Sequence, residues 1–210
     1  MKRTTLGIFS FKSYFVDFKR YRSLLILLLF FICGLFCGTF IFRSADSGMT
    51  SALSDYVSEN LIQRQEYSFF KILCASLVSL MPFFLSVFLL GLSPIGPVLI
   101  PVTLLLRGSG IGLISGYLYK TYEIKGIAFA LLILMPVFLF SSFILLLAGC
   151  ESLKFSGALF RAFSIKAEPV AFGSDFRIYV SRYLFYLLLV LVCAFTDTIF
   201  SVAFIRFFEF

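Results

Sequence analysis

Polar residues interrupt this chain only at long intervals. From Leu24 to Phe42 it reads LLILLLFFICGLFCGTFIF, without a single charge. Further apolar runs occupy 72–92, 95–119, 127–148 and 183–205; the third holds Arg107 and the fifth Asp197. A helix needs about 20 residues to cross the ~30 Å hydrocarbon core of a bilayer. The pattern therefore predicts an all-α, polytopic integral membrane protein with about five transmembrane helices, one membrane domain spanning 1–210. A leader, 1–23, precedes the first run, a polar loop, 43–71, separates the first two, and a link, 149–182, joins the last two. The third run reads either as one helix or as two half-helices, because LLLRGSGIGLISGYL sets an arginine and four glycines inside it.

Three intervening stretches carry helical periodicity, which adds short interfacial amphipathic helices. In the leader, Phe11, Phe15 and Phe18 fall on one face of a helix lying on the inner leaflet. In the loop, Leu53, Tyr56, Val57 and Leu61 stand opposite Asp55 and Glu59. That helix either docks a partner through the two acids or caps the bundle. In ESLKFSGALFRAF, Phe155, Leu159 and Phe163 are in register, as for a helix at the interface.

Composition agrees with the pattern: 60% of the 210 residues are hydrophobic, 30 are Phe, and 14% are charged. A soluble domain of this size has no interior large enough to hide them. Charge then orients the chain, since loops rich in Lys and Arg stay cytoplasmic. The leader carries Lys2, Arg3, Lys12, Lys19, Arg20 and Arg22 against Asp17, and the link carries Lys154, Arg161, Lys166, Arg177 and Arg182. In the 43–71 loop Asp46, Asp55, Glu59 and Glu66 outweigh Arg43 and Arg64. Five crossings place the amino terminus and the link inside and the acidic loop and carboxyl terminus outside. The net charge of +7 is then cytoplasmic surface charge facing anionic lipid, with no reason to invoke nucleic acid. The first apolar run is long and ends in bulky Phe residues, so it reads as a retained helix rather than a cleaved signal.

Candidate chemistry is sparse. The chain has no histidine, which removes imidazole metal sites and Ser-His or Cys-His catalysis. Asp197 stands alone among acids within the runs, where intramembrane aspartyl proteolysis needs two. A phosphate-cradling GxxxxGK[ST] is missing as well. Cys33, Cys37, Cys74, Cys150 and Cys193 read as small buried apolar side chains. The expectation is no enzyme, with no catalytic, cofactor-binding or metal residues.

Two features inside the runs remain. Gly108, Gly112 and Gly116 recur every fourth residue and make a smooth helix stripe, suited to close packing within the chain or to a dimer face. Upstream, Pro94, Pro97 and Pro101 punctuate GLSPIGPVLIP, and Pro97 and Pro101 would free backbone carbonyls that protein or water must meet. With the third helix starting near Gly96 and the fifth near Tyr183, Arg107 and Asp197 lie about 16 and 21 Å deep at 1.5 Å per residue. An unpaired guanidinium there costs at least about 2.5 kcal/mol. The near match predicts an intramembrane charge pair between Arg107 and Asp197; the other reading has Arg107 reaching back to the inner headgroups.

GLSPIGP, then LLLRGSGIGLISGYL, then KGIAFALLILMP with Pro136 inside it, resemble the stage II sporulation protein M family of endospore-forming bacteria. The length, the five runs, the basic leader and the acidic loop fit it too. The resemblance implies a non-enzymatic scaffold in the cell membrane, at the septal or engulfing membrane of sporulating cells. In that family the protein gathers a lytic transglycosylase and an amidase-endopeptidase that thin septal peptidoglycan. The alternative from the residues alone is a small permease or channel subunit, in which Arg107 and Asp197 line a solute path.

Overall fold

The computed structural model describes residues 9–59, 67–129, 135–164 and 172–204, and the side chains of 22–59, 67–124, 135–162 and 175–203. Residues 1–8 of the leader, Leu61, Arg64, Glu66, Lys166 and the chain end after Phe204 lie outside the described residues, as do the side chains of Phe11, Phe15, Phe18 and Phe163. Among the described residues the regular structure is helical: α1 Phe9–Arg43, α2 Ser47–Val57, α3 Phe69–Gly91, α4 Gly96–Phe129, α5 Met135–Ser164 and α6 Phe172–Phe204. Five segments are long and apolar enough to span a bilayer: Arg22–Arg43, Phe69–Gly91, Gly96–Ile124, Met135–Ala162 and Asp175–Ala203.

Several bounds differ from the sequence expectation. The leader's backbone from Phe9 onward continues directly into the first span as one helix. The third run is a single helix through Arg107 and its glycines, and helical geometry first fails at Glu123, with φ 46° and ψ −123°. ESLKFSGALFRAF is the continuation of α5, not a separate helix at the interface. Phe155 and Leu159 are buried, packed in one cluster with Tyr179 and Tyr183. The period of that stretch suits an interfacial helix and a core helix equally. The partner decides between them: α6 starts at Phe172, well before Tyr183, and supplies an extra tyrosine-bearing turn to cover it.

The turn between α3 and α4 shows how proline is accommodated. Pro97 lies in the first turn of α4, where backbone N–H groups have no helical partner in any case. The carbonyl of Ser93, four residues earlier, instead accepts the Gly96 N–H at 3.1 Å and the Ser156 hydroxyl. Protein, rather than water, meets that carbonyl. Gly96 is needed here, because a side chain at this position would fall on the Leu90 carbonyl oxygen and on Ser156.

Large apolar side chains cover the outside of the bundle. Phe36, Phe40, Phe70, Val78 and Val98 are each about 70% exposed, from 69% to 72%. Apolar surface of this extent is rare on a soluble monomer and is what hydrocarbon requires. Cys33, Cys37 and Cys74 belong to this exposed surface, contrary to the expectation of burial, whereas Cys150 and Cys193 are buried. Inside, Leu27, Val87, Ile100, Leu104, Leu145, Leu146 and Cys150 join α1, α3, α4 and α5 into one cluster.

Candidate functional site

The glycine stripe of α4 meets α1. A side chain on Gly108 would land on the Phe31 carbonyl oxygen, and one on Gly112 on that of Leu35. The fit is reciprocal, because Gly34 and Gly38 of α1 press on the carbonyls of Leu105 and Ser109. Thr39 Oγ1 donates to Leu35 O at 2.9 Å and approaches Gly112 O at 3.5 Å. Gly116 rests on the Phe42 ring instead of on backbone. Partner residues rise together along both helices, so α1 and α4 run parallel, as the first and third of alternating spans must. The stripe thus packs within the chain. The sequence reading missed Gly34 and Gly38, although their spacing of four in CGLFCG is the same signal as in α4.

Arg107 is buried, 8% exposed, and its guanidinium lies against the Phe83 and Phe138 rings, 5.1 and 6.0 Å from their centroids. Asp197 is equally buried at 7%. Its Oδ2 accepts Ser76 Oγ at 2.5 Å, and Oδ1 accepts Ser201 Oγ at 3.5 Å. Both groups line one cavity of about 300 Å³, together with Ser76, Ser79, Phe83, Gly110 and Phe138, under Leu53 and Tyr56 of α2. Arg107 and Asp197 thus face a shared space. Arg107 also lines a second, much smaller void with Val190 and Cys193 of α6. Ser76, the carboxylate's partner, carried no sequence signal, being one of many small residues in a span.

A second polar cluster lies toward the other end of the bundle. Glu151, with 8% of its side chain exposed, receives Lys154 Nζ at 2.9 Å and Arg182 at 2.6 Å, which ties α5 to α6. Beside it, Ser152 bonds the hydroxyls of Tyr179, at 3.1 Å, and Tyr183. Those tyrosines also donate to the carbonyls of Phe88, at 2.9 Å, and Ala148, at 3.2 Å. Every hydroxyl in this network has a partner, as burial requires. In sequence these charges read only as loop charges orienting the chain.

The α2 helix covers the cavity end. Val57 is buried against Phe42, Tyr117 and Leu118, with Leu53 packed beside it. Asp55 and Glu59 are exposed on the face turned away. Among the described residues no group of His, Cys, Asp or Glu is arranged to hold a metal ion.

The model of the stage II sporulation protein M family matches residues 27–205, from α1 into the end of α6. Neither a curated protein nor a solved structure gives a match. The matched region takes in all the helices that build the α1–α4 seam, the shared cavity and the Glu151 cluster, and the chain accordingly belongs to the stage II sporulation protein M family, a family of sporulation-related membrane proteins.

Proposed function

We propose that the protein is a non-enzymatic scaffold of the septal or engulfing membrane, holding peptidoglycan hydrolases of the lytic transglycosylase and amidase-endopeptidase classes. The observation that carries this reading beyond family membership is α2. Val57 and Leu53 anchor it to the bundle, while Asp55 and Glu59 point outward from a rigid support. A charged rim on a fixed element suits recognition of a partner on the outer side. The amino terminus is then cytoplasmic.

Deleting the protein is expected to mislocalise a septal hydrolase while leaving that enzyme's activity in vitro unchanged. Replacing Asp55 and Glu59 together by alanine should leave protein level unchanged and stability within about 0.5 kcal/mol of wild type, yet reduce co-purification of the hydrolase, more visibly at low salt. Undiminished co-purification would leave α2 as a cap. Orientation is read separately, by reporter fusions within residues 44–66 and after Phe210. Cytoplasmic activity of the fusion within 44–66 would put the acidic face on the wrong side for wall hydrolases.

A further inference from the structure

Lys154 Nζ and Arg182 Nη1 converge on one carboxylate, 2.9 and 2.6 Å from the two oxygens of Glu151. Glu151 is buried and fixes both cations at the α5–α6 seam, while their side chains remain 41% and 53% exposed. Among the described residues neither cation makes a further hydrogen bond, which leaves several N–H donors on each without a protein acceptor. A groove of about 200 Å³ opens beside them, walled by Phe155, Ala158 and Leu159 of α5 and by Ile178 and Tyr179 of α6. Its level is that of a membrane interface. Ser156, in the same turn as Lys154, bonds the Ser93 carbonyl between α3 and α4, and Tyr179, one turn from Arg182, bonds Phe88 near the end of α3.

The surroundings narrow the ligand chemistry. On α5, Phe140, Phe143 and Lys154 share one face, and on α6, Arg182, Phe185 and Val192 share another. The apolar members are exposed, so each cation heads a greasy stripe that runs toward the bundle centre. Glu151 neutralises one of the two cations and leaves the charge that one phosphodiester carries. Around the groove, the described residues of α5 and α6 add Arg161 and Arg177 against Asp175, an excess that disfavours an ammonium headgroup. Asp175 is exposed and lies two helical turns, about 10 Å, along α6 from Arg182, roughly a Debye length at physiological salt. We propose that this groove binds an anionic phospholipid, with its phosphodiester on Lys154 and Arg182, its headgroup in the groove and an acyl chain along the α5–α6 seam.

The full chain can be placed in nanodiscs of equal phosphatidylglycerol and phosphatidylethanolamine, re-extracted in mild detergent, and its retained lipid identified by mass spectrometry. Phosphatidylglycerol should be retained over phosphatidylethanolamine. In detergent it should also raise the melting temperature, whereas glycerol phosphate should not. Arg182→Gln and Lys154→Gln should each weaken phosphatidylglycerol binding about tenfold or more, the usual consequence of losing one charged hydrogen bond. Ile178→Glu guards against variants that merely fail to fold. Ile178 lines the groove and is half-exposed, so this variant should keep its melting temperature in lipid-free detergent while setting a carboxylate against the phosphate. Ile178→Gln, of similar size and uncharged, should retain the lipid. Equal retention of the two lipids would mean an unselective annulus and overturn the proposal. So would stabilisation by glycerol phosphate equal to that by the lipid, which would mean a free-phosphate site. Undiminished binding in both cation variants, or in a folded Ile178→Glu, would overturn it too.

Discussion

Leucine at position 112 is expected to leave little folded protein. The first atom of any side chain there would fall on the Leu35 carbonyl oxygen, with the Leu35 carbonyl carbon and the Thr39 nitrogen each 3.1 Å away. All three are backbone atoms, so no rotamer change can make room. Helix α1 must withdraw, and with it go the matching contacts of Gly34, Gly38 and Gly108. Without a hydrophobic force between helices in lipid, close packing of this kind supplies much of the association energy. Overpacking in a rigid core costs typically about 1–3 kcal/mol, and backbone on both sides of the contact puts Gly112→Leu at or above the upper figure. Size-exclusion chromatography of tagged protein in mild detergent reads the monodisperse fraction. Gly110→Ala, two residues away, where the added carbon meets nothing within 4 Å, is the control that should behave as wild type. Gly116→Ala should be intermediate, since its neighbour is the movable Phe42 ring, 3.0 Å from the added carbon. A wild-type profile for Gly112→Leu would remove the α1–α4 seam.

Ser152→Leu is expected to be the second severe change. Ser152 is fully buried, and its side chain occupies the space left by Gly91, where an added carbon would come within 2.9 Å of Oγ and 3.0 Å of Cβ. Leucine therefore drives α3 away from α5 and displaces two tyrosine hydroxyls, at about 3 kcal/mol. Alanine should cost only about 1 kcal/mol, because Tyr179 and Tyr183 keep their carbonyl acceptors on Phe88 and Ala148. Melting temperatures of the two variants in one detergent give the comparison. If leucine melts together with alanine, the α3–α5 contact is looser than described.

The glycine stripe shows how far local reading reaches. Spacing of four announces that something packs closely against α4, and the same spacing in α1 announces its counterpart. Which two helices join is not written in either stripe. It depends on both spans running in the same direction and arriving side by side. Asp55 and Glu59 are similar: periodicity alone separates them from Val57, but only the packing of Val57 and Leu53 makes α2 a fixed element rather than a free interfacial helix.

Arg107 and Asp197 mark the other limit. Depth counted along each span predicts that Arg107 and Asp197 come together, and the structure brings both to the wall of one cavity, while α6 begins earlier than its apolar run. Helix ends in this chain are placed by tertiary contacts, since Tyr179 and Tyr183 find partners on α3 and α5 and extend α6 into residues that read as a polar link.

The sequence by itself determined the solvent, the number of spans and the family. Those follow from length and hydropathy, which depend on each segment's own residues, and from a central run of recognisable motifs. Tertiary structure alone decided which glycines touch, that α5 and α6 continue into the link, and that two buried charges open onto one cavity. These are relations between segments, and a helix's own residues do not specify its height or rotation against a neighbour; packing of side chains from both does.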